Sequence, residues 1–209
     1  MSKAKDESDN SIKPSGGEGP GNPVIEPPKI TSPANGSCTT SLRPTIRGTS
    51  HPGRNIRLVT PGKEDALSPE QQPRVRDVQL TFQQDLKPGL NEFQILQWLR
   101  YPDSHKRSPV WQLYYLSAPR ITSPSAGATV GRTPQVKGDS AIPGATIDVV
   151  KAGTAAVIYA TGVVASDGTW IADNKVALPV GPFTFTARQN KGGVTGTAWA
   201  ANVSVTVTG

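Results

Sequence analysis

The sequence predicts an all-β protein, with a disordered tail followed by two tandem β-sandwiches. Three observations lead there: dense glycine and proline punctuation, hydrophobic alternation at every second residue, and an internal repeat at an offset of 91 residues. The 21 Gly and 20 Pro among 209 residues leave no room for a long uninterrupted helix. Proline removes a backbone donor, and glycine costs helix stability. Sandwich domains need roughly 100 residues each, so the length suits two of them and a tail.

Residues 1–28 are rich in Ser, Gly, Pro and charge and end in Pro23-Val24-Ile25-Glu26-Pro27-Pro28. With almost nothing apolar to bury, this segment is expected to be disordered and to act as a spacer or solubilising arm. It has no apolar run of the kind a secretory signal needs. No stretch of the chain approaches the ~18 apolar residues of a membrane helix, so membrane insertion is not expected.

The repeat begins at once. Residues 28–33 read PKITSP and residues 119–124 read PRITSP, and the match continues through Gly36 and Gly127. Pro44 to Ser50 then corresponds to Pro134 to Ser140, and Pro52 to Ile56 to Pro143 to Ile147. Further on, Leu86 to Gly89 faces Leu178 to Gly181, and Phe93 and Ile95 are expected to face Phe183 and Phe185. Duplication explains the whole series and sets the expected domains at 29–118 and 119–209. The linker Leu116-Ser117-Ala118-Pro119 is too short for free tumbling, so a fairly extended pair is expected.

Within the second copy, Ile147 and Val149, then Phe183, Phe185 and Ala187, then Val203, Val205 and Val207 alternate with polar positions. Period two means half-buried strands. Ala141-Ile142-Pro143-Gly144-Ala145 and Ser166-Asp167-Gly168-Thr169 carry turn chemistry between them. Trp170, straight after the second turn, is expected to plug the core.

The succession ITSP, PGATIDVV, DGTW, ALPVGPFTFTARQ and a terminal VSVTV resembles the bacterial immunoglobulin-like repeats of large adhesins and other surface proteins of Gram-negative bacteria. The likeness covers nearly all of the second copy. The first matches over residues 28–59 and then departs, with Asp77-Val78-Gln79-Leu80 in place of Asp-Gly-Thr-Trp. The resemblance implies immunoglobulin-like β-sandwiches that serve as spacers, some of which bind glycans or proteins.

Cys38 is the only cysteine, so no intrachain disulfide can form, and burial is its expected state. His51 and His105 lie on different expected loops without Cys, Asp or Glu at metal-ligand spacing, and no phosphate loop or nucleophile elbow occurs. No catalytic residue, metal or cofactor is therefore expected. The four acids of the second copy, Asp139, Asp148, Asp167 and Asp173, suit turns and caps better than a calcium site.

The formal charge is +6, divided as −2 over residues 1–28, +5 over 29–118 and +3 over 119–209. An excess of this size chiefly maintains solubility. Nucleic acid ranks last among partners, because neither a dense basic stripe nor an aromatic groove motif appears.

The most distinctive patch is Gln97 to Trp111, QWLRYPDSHKRSPVW, which has no counterpart in the second copy. Trp98, Tyr101 and Trp111 stand with Arg100, His105, Lys106 and Arg107 around an expected hairpin. Aromatic faces stack on sugar rings while cations meet carboxylate or sulfate, so the patch suits an acidic glycan or a protein partner. The competing reading makes Trp98 and Trp111 core plugs in place of Trp170. The function expected is non-catalytic: a binding or spacer module of a bacterial surface, secreted or particle-associated protein, mediating adhesion or protein docking, or else recognising cell-surface glycans. The expected location is secreted or cell-surface by a non-classical route, with the cytoplasm as the alternative.

Overall fold

The computed structural model describes residues 25–99 and 105–209. Among them there are only strands, turns and loops, and no helix long and apolar enough to cross a membrane.

The first eight strands are β1 (Lys29–Ser32), β2 (Ser37–Thr39), β3 (Thr45–Thr49), β4 (Asn55–Val59), β5 (Asp77–Thr81), β6 (Gly89–Trp98), β7 (His105–Arg107) and β8 (Trp111–Tyr115). They form two sheets, one ordered β1-β3-β5 and one ordered β2-β8-β6-β4 with β7 against β6. Strand β1 is antiparallel to β3, whereas β2 crosses to the other sheet and runs parallel to β8. A first strand divided between both sheets, with consecutive strands changing layers, gives the immunoglobulin-like sandwich.

The second set is β9 (Arg120–Ser123), β10 (Thr129–Val130), β11 (Val136–Asp139), β12 (Thr146–Lys151), β13 (Ile158–Val163), β14 (Trp170–Asn174), β15 (Gly181–Lys191), β16 (Val194–Thr195) and β17 (Val203–Val207). It repeats the plan: β9-β11-β14 is one layer, and β10-β17-β15-β12 the other, with β10 parallel to β17. Among the described residues strand β13 has no counterpart in the first copy. It pairs with both β12 and β14 and so joins the two layers along one side. In the first copy the segment after β4 makes only single bridges there, Ile56 with Gln71 and Val59 with Ala66. The proline-rich, polar composition of residues 60–76 leaves no alternating run that could pair as a strand.

The ladders place the two copies in a register slightly different from the sequence expectation. Asn55 pairs with Trp98 and Thr146 with Asn190, while Phe93 pairs with Trp111 and Phe185 with Val203. Phe93 is therefore equivalent to Phe185, and Ile95 to Ala187, an offset of 92. The expected pairing of Phe93 and Ile95 with Phe183 and Phe185 was two residues out. Period-two strands look alike when slipped by two, because every side chain stays on its own face.

Each copy has its own apolar core. Ile46, Ile56, Leu58, Leu80, Phe93, Ile95 and Leu113 fill the first, and Val136, Ile147, Val149, Trp170, Phe185 and Val205 are prominent in the second. The turn after Ala141 is built as its residues require: the Ala145 N–H donates to the Ile142 carbonyl, with Pro143 and then Gly144 at φ 71° between them. Trp170 is buried, as expected, and its Nε1 donates to the Asp139 carbonyl at 3.2 Å. In the first copy neither Trp98 nor Trp111 stands in for it. Gly138 pairs with Trp170 and Gly48 with Val78, so Val78 occupies the equivalent place.

On two strands alternation fails at two successive outer positions. In β12 Asp148 and Val150 are buried as well as Ile147 and Val149, and in β6 Leu96 and Trp98 are buried as well as Ile95. Both strands lie where the outer face of the larger sheet is covered, which local periodicity does not register.

Residues 25–28 belong to the stretch expected to be disordered, yet they are placed against the first sandwich. Pro28 is buried, the Glu26 carboxylate meets Arg76 at 2.8 Å, and the Glu26 carbonyl accepts from Gln97 at 3.2 Å.

Candidate functional site

The expected patch maps onto the β6–β7 hairpin and the start of β8. Arg100 and Tyr101 lie outside the described residues. Trp98 pairs with His105, Gln97 with Lys106 and Leu96 with Arg107, so Trp98, Leu96, His105 and Arg107 share the outer face of the sheet. Val59, Leu96 and Trp98 form a small buried cluster there, separate from the main core. Trp98 is only 7% exposed, and the Arg57 guanidinium lies 5.2 Å from its ring centroid.

A carboxylate holds this arrangement. Glu64 meets Arg57 at 3.5 Å through one oxygen and Arg107 through the other, while Arg107 Nη1 donates to the Lys63 carbonyl at 3.0 Å. The Arg107 charge expected to face a ligand is thus directed into the protein's own loop. Lys106 and His105 are exposed.

Trp111 lies elsewhere. It pairs with Phe93 and packs against the first core from within, its Nε1 donating to the Pro33 carbonyl at 2.9 Å. The two tryptophans therefore lie on opposite faces of one sheet, and the structure does not bring them together. Trp111 instead borders an apolar cleft of about 660 Å³ with Pro27, Pro28, Ile30 and Pro109.

Two buried glutamines escaped the sequence reading. The Gln97 oxygen accepts from the His51 N–H at 2.6 Å, and its amide nitrogen donates to the Glu26 carbonyl. Gln189 does the same in the second copy, accepting from the Ile142 N–H at 2.9 Å and donating to the Ser117 carbonyl at 2.6 Å. Each latches the chain segment entering its sandwich to the turn before β4 or β12. The signal for the shared glutamine is its recurrence at an offset of 92, in QILQW and TARQN.

In the second copy this latch forms part of a joint. Leu116, just after β8, is buried in the second core, and Cys38 and Tyr114 pack against that core. The Lys191 ammonium lies 5.4 Å from the Tyr114 ring centroid and donates to the Pro143 carbonyl at 2.6 Å. Burial pushes the Cys38 thiol above its ordinary range, partly opposed by the Lys191 charge. A thiol held protonated is a poor nucleophile.

The four second-copy acids are dispersed, and among the described residues no three His, Cys, Asp or Glu side chains cluster for a metal. Asp148 accepts from Asn190 at 2.7 Å, Asp173 from Gln135 at 3.0 Å, and Asp167 from the Thr169 N–H at 2.9 Å, closing its turn. Asp139 faces Arg120 and Ser140, and these hydrogen bonds lower its carboxyl from 3.8 to about 2. Since the folded value is the lower, the pair's contribution to stability is present above 3.8 and lost as pH falls through about 2. An NMR titration should give a midpoint near 2 for Asp139. Arg120→Gln should move it upward, and an unchanged midpoint would remove Arg120 as the cause.

No family model and no curated protein matches the chain. Solved structures do. The BSP domain of a biofilm-associated protein is 15% identical over 88% of this chain, with a TM-score of 0.34, and the chain spans only 30% of it. The human OSCAR ligand-binding domain is 15% identical, covering 86% of this chain and 98% of its own, at a TM-score of 0.39. The titin I-band fragment I67–I69 is 12% identical, covering 88% and 66%, at a TM-score of 0.44. The architecture of this chain, two immunoglobulin-like sandwiches in tandem, stands on the strand order and register of its own sheets.

Proposed function

We propose that the chain is a non-catalytic spacer and interaction module, in which two separable domains, 29–118 and 119–209, form a stiff pair. In this reading it belongs to a bacterial surface, secreted or particle-associated protein and mediates adhesion or protein docking. The observation that supports it is the joint. Leu116 leaves the last ladder of the first sandwich, with its N–H still bonded to the Thr39 carbonyl at 2.9 Å, and buries its side chain in the second core. Gln189 holds the carbonyl of the next residue, Ser117. A connection of three residues between Leu116 and Arg120, with Ser117 held and Pro119 buried, transmits orientation from one sandwich to the other, as a spacer must.

The patch from Trp98 to Trp111 supports a glycan reading less well, since its indoles are divided between two faces and Arg107 is occupied by Glu64. Residual dipolar couplings test the stiff pair. Both halves of the native chain should report one common alignment. A Gly-Ser-Gly insertion between Ser117 and Ala118 should separate them into two. Two independent alignments in the native chain would overturn the reading.

A further inference from the structure

The two sandwiches share one plan, and at one place they differ in a way that opens a cleft in the second. The loop after β12 is built like the loop after β4. Gly62 and Gly153 both have positive φ, 70° and 81°, and the N–H of Lys63 bonds to the Thr60 carbonyl as that of Thr154 does to Lys151. Glu64 is therefore equivalent to Ala155. On the neighbouring segment Ser108 N–H bonds to the Ile95 carbonyl and Ala200 N–H to the Ala187 carbonyl, which makes Arg107 equivalent to Trp199.

In the first copy the ion pair between Glu64 and Arg107 closes this place. In the second, alanine replaces the glutamate and tryptophan the arginine, so no ion pair can form. What remains is a cleft of about 360 Å³ lined by Val150, Lys151, Thr154, Thr186, Trp199 and Asn202, among others. Its volume lies at the lower end of the range for small-molecule sites, about 300–1,000 Å³, and suits one ring better than an extended ligand.

The lining has the chemistry of a sugar site. Trp199 is 40% exposed, while the Arg188 guanidinium, which does not line the cleft, lies 5.1 Å from its ring centroid. That stacking steadies the indole as a flat apolar wall. Thr154 and Asn202 offer hydroxyl and amide groups, Lys151 supplies the lining's cation, and no carboxylate is among the lining residues. We propose that this cleft binds a pyranose ring bearing a carboxylate, the ring's C–H face on Trp199 and its acid group toward Lys151. The inference does not depend on the stiffness of the pair.

The test is titration of the full chain with a glucuronate-containing tetrasaccharide and with its carboxyl-reduced neutral counterpart, following the Trp199 indole N–H by NMR. The acidic sugar should shift that resonance saturably at millimolar concentrations, and the neutral one should bind at least about tenfold more weakly. Trp199→Ala, followed through the side-chain amide of Asn202 in the same lining, should abolish the acidic sugar's binding. Ala155→Glu, which refills the cleft with the side chain the first copy carries, should weaken it at least about tenfold while the thermal midpoint stays unchanged. No shift with either sugar, equal affinity for both, or unaltered binding by a folded Ala155→Glu protein would each overturn the proposal.

Discussion

Replacing Trp170 by alanine should destabilise the second sandwich by about 3–5 kcal/mol, the range for deleting a large buried aromatic side chain. The indole lies against Gly138, where a Cβ would come within 2.2 Å of its ring. Trp170 and Gly138 are therefore a matched pair, and the surrounding sheet can collapse only partly into the void. For a domain of this size each kcal/mol moves the melting midpoint by about 4–8 °C, so a fall of at least about 12 °C is expected in calorimetry. Val78→Ala at the equivalent place should cost much less, because a smaller side chain is removed. Equal losses at the two positions would refute the assignment of Trp170 as the principal plug of its core.

Replacing Gln189 by leucine should have the next largest effect. The side chain is fully buried, and its loss leaves the Ile142 N–H and the Ser117 carbonyl without their partner. Each orphaned group costs about 1–3 kcal/mol when water cannot replace the lost bond. Gln97→Leu should show the same penalty in the first copy, at the His51 N–H and Glu26 carbonyl. The two differ in one respect. Gln189 holds the segment joining the sandwiches, so its loss should also loosen their common alignment, whereas loss of Gln97 should leave it intact. Wild-type stability in Gln189→Leu, measured by urea denaturation, would remove the latch from the account.

Much of the fold was legible because it is written in local signals. Pro143-Gly144 and Asp167-Gly168 specify their turns through the backbone angles they favour. The alternation in Val203, Val205 and Val207 assigns β17 its buried face. The repeated ITSP segments announce two copies before any strand is drawn. The register at Phe93 was less secure, since a slip of two preserves every inside and outside assignment.

The functional surface was far less legible. Trp98 and Trp111 are near in sequence, and proximity along the chain suggested one patch. A strand separates them onto opposite faces. Trp199 carries no local signal, because its exposure in the cleft depends on Ala155, distant in sequence, being too short to cover it.

What the sequence by itself determined is therefore the class of fold, its duplication and the positions of its turns, all of which follow from periodicity and backbone preference within a few residues. Only the tertiary structure decided which outer faces are covered, how Leu116 ties one sandwich to the next, and where a cleft stays open. Those outcomes depend on side-chain length at places brought together by the sheets, and no short window of sequence contains both partners.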